Sequence, residues 1–235
     1  MIYLMENSFC IIPVRGGSKG LPRKNLLKIY KNLSLLEWTI YQAKKVYKCE
    51  KIIVSTEDQK LKHLANASNV RVIDRPANLA KDTSSTLSVI DHLFEIFESE
   101  EILVDSFTIL QVTSPLRDSK NIRESLELIN SNKYDSVLSV YKDDKHPAKN
   151  YFNVDGFLEP VIPNYEFLPR QSLPQVYRRN GAIFSVKSEY YKNNKKLWGG
   201  KIGYVLMDKE RSIDIDYYDD FIKAKEFIKK NIKDF

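Results

Sequence analysis

Residues 13–25 read PVRGGSKGLPRKN and place Gly16, Gly17 and Gly20 among the cations Arg15, Lys19, Arg23 and Lys24. Glycines let a backbone come close to a phosphate and turn its amides inward, while the cations neutralise the oxygens. This loop suits a triphosphate. Its spacing is neither GxxxxGK[ST] nor GxGxxG, which sets aside the P-loop and the dinucleotide fingerprint. A second group lies near the C-terminus, in Ile213-Asp-Ile-Asp216. Read as a strand, that segment turns Asp214 and Asp216 to one face and the two isoleucines to the other. Two converging carboxylates in a domain with a triphosphate loop suggest Mg²⁺ bridging carboxylate and phosphate oxygens.

The surrounding elements must bring these groups together. Phe9–Val14 is a continuous apolar strand, and the glycine loop follows it directly, where ligands of open α/β sheets bind. A helix is expected from about Leu35 to Val46, a strand at Lys51–Ser55, a helix at Asp58–Ala67 and a strand at Val70–Ile73. Residues 82–85, DTSS, offer caps to a helix whose Leu87, Ile90, Phe94 and Phe97 share a face. A strand at Ser106–Leu110, a helix capped by Asp118 or Ser119 and running to Ile129, and a strand at Ser136–Val140 continue the alternation. Buried strands alternating with amphipathic helices imply an α/β fold: three layers around a mostly parallel, doubly wound sheet.

The pattern breaks after Tyr141. Between Lys142 and Arg179 the helical period disappears, five prolines appear, and Asp155-Gly156 marks a hairpin between Tyr151–Val154 and Phe157-Leu158. Strands return at Ala182–Val186 and Ile202–Met207, and a final helix carries Phe221, Ala224, Phe227, Ile228 and Ile232 on one side. The expected organisation is a core of residues 1–141 and 180–235 with an insert at 142–179. That insert, rich in aromatics and proline, is too short to bury its own apolar surface, so another surface must cover it.

Composition narrows the class. Hydrophobic residues make up 43% and charged residues 29%, which excludes a disordered chain, a collagen-like fibre and a disulfide scaffold. No apolar run approaches the roughly 20 residues of a membrane span, and Glu6 and Asn7 interrupt any leader-like start, so a cytoplasmic protein without membrane partners is expected. The net charge of +6 favours anionic ligands without specifying nucleic acid, because acidic residues are mixed among the lysines. Cys10 and Cys49 read as reduced structural thiols, and His63, His92 and His146 are too scattered for a zinc site.

The loop resembles the signature segment of the acylneuraminate cytidylyltransferases, which join sialic acid and related nine-carbon sugars to CMP. The resemblance continues, in order, through RPANLAKDT at 75–83, LQVTSPLR at 110–117, PRQSLP at 169–174, NGAIF at 180–184 and SIDID at 212–216. It implies Mg²⁺-dependent transfer from CTP to a nonulosonic acid, giving a CMP-sugar and pyrophosphate. Arg15, Lys19 and Lys24 would act on the phosphates, with Gly16, Gly17 and Ser18 cradling them. Asn25, Arg75 and Thr86 would serve the nucleoside end, and Asp214 with Asp216 would hold the metal.

The resemblance also places Gln111 and Asn180 near the acceptor sugar. It makes the insert a dimerisation element that sends Lys149 and Arg170 into the partner's acceptor site. Thr86 stands where a serine is expected and keeps the hydroxyl, and Val112 replaces a proline that has no polar side-chain group to lose. Leu197-Trp198 falls where relatives tend to carry an aromatic pair near the acyl group, so a leucine there suggests a differently substituted sugar such as legionaminic or pseudaminic acid. No motif residue is assigned as general base.

Three rival readings have their own discriminators. An enzyme of the same fold acting on an eight-carbon acid is opposed by the GGSKG and SIDID segments. A non-catalytic nucleotide-binding homologue is opposed by the intact Asp214 and Asp216. A nucleic-acid binder would lose affinity steeply with salt, whereas CTP binding would depend on metal.

Overall fold

The computed structural model describes residues 6–18 and 20–235. In chain order the elements are β1 (Ser8–Pro13), β2 (Lys28–Tyr30), β3 (Leu33–Ser34), α1 (Leu35–Lys44), β4 (Ile52–Thr56), α2 (Gln59–Ala67), β5 (Arg71–Asp74) and α3 (Thr86–Ser99). There follow β6 (Ser106–Leu110), α4 (Ser119–Asn130), β7 (Ser136–Asp143), β8 (Tyr151–Val154), β9 (Phe157–Pro160), β10 (Val176–Lys187), α5 (Ser188–Asn194), β11 (Ile202–Leu206) and α6 (Tyr218–Lys230).

Seven strands form one sheet in the order β11-β7-β10-β6-β1-β4-β5. The β1–β4, β1–β6, β4–β5 and β7–β11 pairs are parallel, and β10 runs antiparallel to both neighbours. The chain winds outward from β1 to β4 and β5, then returns to β6 on the other side of β1. The crevice at the carboxyl end of β1 is therefore a topological switch point.

Strand alternation explains why both faces are covered. Cys10 and Ile12 of β1 pack with residues of α1, α2, α4 and α6, whereas Phe9 and Ile11 pack with Ile90, Phe94 and Phe97 of α3 and Tyr191 of α5. Side-chain caps fix several helix starts: Ser34 with Glu37 for α1, Asp58 for α2 and Asp118 with Asn121 for α4. For α3 the cap is Ser85, and Asp82 pairs instead with Arg15.

The C-terminal carboxylate segment differs from its expected form. Residues 213–216 are not a strand of the sheet, because beyond β11 the chain passes a 3-10 turn at Lys209–Arg211 and meets the sheet at its carboxyl end. One ladder-like bond remains, from Ile215 N–H to the Thr113 carbonyl at 2.8 Å. The alternation survives nonetheless: Ile215 is buried and Asp214 and Asp216 are exposed. Apolar burial of the isoleucines, without a strand partner, suffices to turn both carboxylates outward.

The ladder of β7 and β10 runs past Tyr141 and Arg179 to pair Asp143 with Val176. Beyond it lies the β8–β9 hairpin, closed by Asp155 and Gly156, both at positive φ as a two-residue turn of this kind requires. Phe157 and Phe167 in this excursion are 76% and 90% exposed, an apolar surface without a cover among the described residues.

Candidate active site

A cavity of about 380 Å³ opens at the carboxyl ends of β1, β5 and β6. Arg15, Gly17, Ser18, Gly20, Lys24 and Asn25 line it from the glycine loop, Arg75 from the end of β5, and Thr86 from the start of α3. Asp214 and Asp216 line the same cavity, as does Gln111 at the end of β6. The topology thus gathers groups that stand 200 residues apart in sequence. Lys19 lies outside the described residues.

The loop cations divide by task. Arg15 is held by Asp82 at 2.6 Å, and Lys24 stands 3.3 Å from Asp216 while its ammonium donates to the Ile215 carbonyl. Arg23, in the left-handed region, turns to Asp58 at 2.6 Å and does not line the cavity. Asn25 is 7% exposed; its amide N–H donates to the Arg15 carbonyl at 2.9 Å, and its Oδ1 is buried without a partner among the described residues. Ser18 Oγ is likewise buried and unpartnered, so two polar atoms beside the cavity have acceptor or donor capacity to spare.

Gly16, expected beside the phosphates, does not line the cavity, and its N–H donates to Glu57 Oε1 at 2.7 Å. A Cβ on Gly16 would stand 2.6 Å from Asp58 Oδ2, and one on Gly20 would stand 2.4 Å from the Asp216 carbonyl oxygen. These two glycines allow close approach of protein to protein, as well as any approach of ligand.

Arg75 is 7% exposed, and its guanidinium donates to the Ser55 carbonyl at 2.7 Å and to Ser55 Oγ at 3.3 Å. Burial pulls its pKa down to about 10, against the opposing field of the Glu57 carboxylate, so it stays charged at neutral pH. Thr86 is the first residue of α3, where unsatisfied backbone N–H groups favour negative charge.

A second cavity of about 780 Å³ shares Ser85, Thr86 and Gln111 with the first. Its far end is formed by Arg179, Phe184, Tyr190, Leu197 and Trp198, and the Arg179 guanidinium lies 4.1 Å from the Trp198 ring centroid. Of the acceptor residues expected from sequence, Gln111 is in this wall. Buried Arg117 fixes the segment by donating to the Gln111 and Ser114 carbonyls, both at 2.6 Å. Arg117, Arg179 and Glu57 had no sequence-level role; Glu57 and Arg179 act through partners distant in the chain, Arg117 through carbonyls three and six residues away, and the LQVTSPLR and NGAIF segments were the available signal.

The other acceptor candidates lie elsewhere. The Asn180 amide N–H donates to Ser212 Oγ at 2.9 Å and its Oδ1 accepts from Ser139 Oγ at 2.6 Å, which ties β10 to β7 and to the carboxylate segment. Asn180 lines neither cavity. Lys149 donates to the Leu168 carbonyl at 3.0 Å and Arg170 to the Asp144 carbonyl at 3.3 Å, both within the excursion between β7 and β10. Neither lines either of these two cavities.

The donor set fits a hard divalent cation. Two exposed carboxylates face the phosphate-type loop, and among the described residues no third His, Cys, Asp or Glu joins them in a metal-holding group. Mg²⁺ commonly takes one or two carboxylates and completes its shell with phosphate oxygens and water.

The cytidylyltransferase family model matches residues 9–233. Over 217 residues the chain is 36% identical to an N-acylneuraminate cytidylyltransferase of Escherichia coli O18:K1:H7, covering 90% of this chain and 49% of that protein. It spans about half the length of this relative and of those from Streptococcus agalactiae. It is 30% identical to a CMP-N,N'-diacetyllegionaminic acid synthase of Campylobacter jejuni, with 95% of each chain covered. Among solved structures, a CMP:2-keto-3-deoxy-manno-octonic acid synthetase complexed with CTP superposes with a TM-score of 0.71 at 15% identity, covering 96% of this chain and 99% of that one. At that identity the likeness shows the fold, an α/β sheet of the cytidylyltransferase kind.

Proposed function

The chain belongs to the cytidylyltransferase family, and from that premise we propose that it transfers CMP from CTP to an anionic nine-carbon 2-keto sugar, releasing pyrophosphate. The observation that carries the reading is the meeting of the glycine loop, Arg75 and the Asp214–Asp216 pair in one cavity that continues, through Gln111 and Thr86, into a second. The first cavity receives the nucleotide and the second the sugar. The named relatives act on acylneuraminate and diacetyllegionaminate, which fits a nonulosonic acid here.

The reaction is in-line attack of the anomeric hydroxyl on the α-phosphorus with pyrophosphate leaving. Catalysis is then positioning and charge stabilisation. Arg15, Lys19 and Lys24 neutralise phosphate oxygens, and Arg15 exchanges Asp82 for phosphate when the nucleotide enters. Asn25, Arg75 and Thr86 address the nucleoside end, and the free Oδ1 of Asn25 can accept a hydrogen bond from it. Gln111, on the wall common to both cavities, orients sugar hydroxyls at the point of transfer. Asp214 and Asp216 would hold Mg²⁺, which would add positive charge against the phosphate oxygens.

The apolar excursion at 142–179 pairs two copies of the chain, and Lys149 and Arg170 serve the acceptor cavity of the other copy. That neither residue lines the two cavities of its own chain motivates this reading. A pyrophosphate-release assay with CTP, Mg²⁺ and a panel of N-acetylneuraminic, legionaminic, pseudaminic and eight-carbon acids tests the function. Release with a nine-carbon acid supports it, and release with the eight-carbon acid alone overturns the substrate class.

A further inference from the structure

Two consecutive carboxylates follow β4, and each grips the glycine loop at a different point. Asp58 takes the Arg23 guanidinium at 2.6 Å and is itself fixed as the cap of α2, accepting from the Lys60 and Leu61 N–H groups at 3.0 Å. Glu57 reaches the other arm of the loop, where its Oε1 accepts the Gly16 N–H at 2.7 Å. Its Oε2 is buried and has no hydrogen-bond partner among the described residues. Glu57 does not line the nucleotide cavity, so it is not placed to touch a ligand there.

A carboxylate close to a site for a triphosphate works against anion binding by its charge alone. Its neighbours offset that cost. Arg75 is buried beside it and, among the described residues, donates only to neutral acceptors, Ser55 carbonyl and hydroxyl, and Arg15 adds a second like charge to the same region. What remains specific to Glu57 is reach. A loop containing Gly16, Gly17 and Gly20 has high conformational entropy when free, and an anchor that fixes one amide restricts it before the ligand arrives.

We propose that Glu57 is a positioning residue for nucleotide binding: by holding the Gly16 N–H it fixes the glycine loop in the conformation that receives the triphosphate. The inference rests on the nucleotide reading of the cavity. It assigns to Glu57 a preorganising role that acts through the loop.

Three substitutions separate reach from charge. Glu57→Gln keeps an oxygen at the same distance and removes the charge, Glu57→Asp keeps the charge and falls one methylene short, and Glu57→Ala removes both. Dissociation constants for CTP with Mg²⁺, measured by calorimetry, are expected to rise about tenfold or more in Glu57→Ala and Glu57→Asp, the loss of the one hydrogen bond that holds the Gly16 N–H. In Glu57→Gln they should stay within about threefold of wild type, because reach is kept. Hydrogen exchange at the Gly16 amide should accelerate in the Ala and Asp variants and stay protected in Gln. Turnover at saturating CTP should stay within about threefold throughout, since bound triphosphate itself orders the loop.

If Glu57→Ala fails to fold, the Gln and Asp pair decides. Weak CTP binding in Gln with wild-type binding in Asp would make the effect one of charge and overturn the proposal. So would faster Gly16 exchange without weaker CTP binding, which leaves the nucleotide reading intact. Wild-type protein that binds no CTP overturns the nucleotide reading and this inference with it.

Discussion

Lys24 joins the glycine loop to the C-terminal carboxylates: its ammonium stands 3.3 Å from Asp216 Oδ1 and donates to the neighbouring Ile215 carbonyl. A few residues earlier, Gly20 lies so close to Asp216 that a Cβ there would come within 2.4 Å of its carbonyl oxygen. The two segments therefore form one surface. A change at Gly20 or Lys24 is felt at Asp216, and the reverse.

That contact predicts opposite behaviour for two neighbouring glycines. Gly20→Ala must push backbone against backbone and should lower both the melting temperature and activity, the latter about tenfold or more. Gly17→Ala meets nothing within 4 Å and has no positive φ, so it should leave the ligand-free melting temperature unchanged or slightly raised. Thermal melts of both variants check the contrast.

Asp214→Asn and Asp216→Asn should each lower turnover at limiting Mg²⁺ by about a hundredfold or more, as expected when a metal ligand is lost. The fold should persist, because both side chains are exposed. In Asp216→Asn, Lys24 also loses its ion-pair partner, so the CTP requirement for Mg²⁺ should shift more than in Asp214→Asn. Metal titrations of activity measure the difference.

Much of this arrangement was legible in the sequence. The run Ser106–Leu110 is a strand with the bounds its β-branched and apolar residues suggest, since a strand buried on both faces needs no alternation. The Asp214 and Asp216 facing was readable from period two even though the segment has no ladder, because isoleucine burial sets the phase. The bonds from Glu57 to Gly16 and from Asn180 to Ser212 were not readable, since they depend on loops meeting over long sequence distances. Nor was Arg179, whose place on Trp198 depends on how the segment after α5 returns to the sheet.

The acid limb of stability should carry the signature of Asp58. Burial acts to raise its pKa, but the Leu61 N–H, Arg23 and the Lys60 N–H stabilise the carboxylate and hold it below the usual range. A lowered folded-state pKa gives stability that is present above the unfolded value, about pH 4, and lost as pH falls through the folded value. Melting temperatures between pH 7 and 3 should therefore fall less steeply for Asp58→Asn than for wild type. Equal slopes would mean that the pairing contributes nothing on folding.

The dimer reading predicts complementation. Arg170→Ala would impair the partner's site and Asp216→Ala the chain's own, leaving each homodimer inactive. Refolding equal amounts together gives about half mixed dimers with one intact site in two, hence roughly a quarter of wild-type activity for symmetric pairing. Activity that stays at the level of the separate variants, although mixed dimers form, would return Arg170 to a role within its own chain.

The account rests on transfer of the cytidylyl group to a sugar acid, and CTP labelled at the α-phosphate follows that group directly. With Mg²⁺ and a nine-carbon acid, the label should pass into a CMP-sugar conjugate with one pyrophosphate released for each conjugate formed, and equimolar UTP should be used far less, because a site built to hydrogen-bond one base loses heavily with another. Label recovered only as free CMP, or equal use of UTP, would contradict the account.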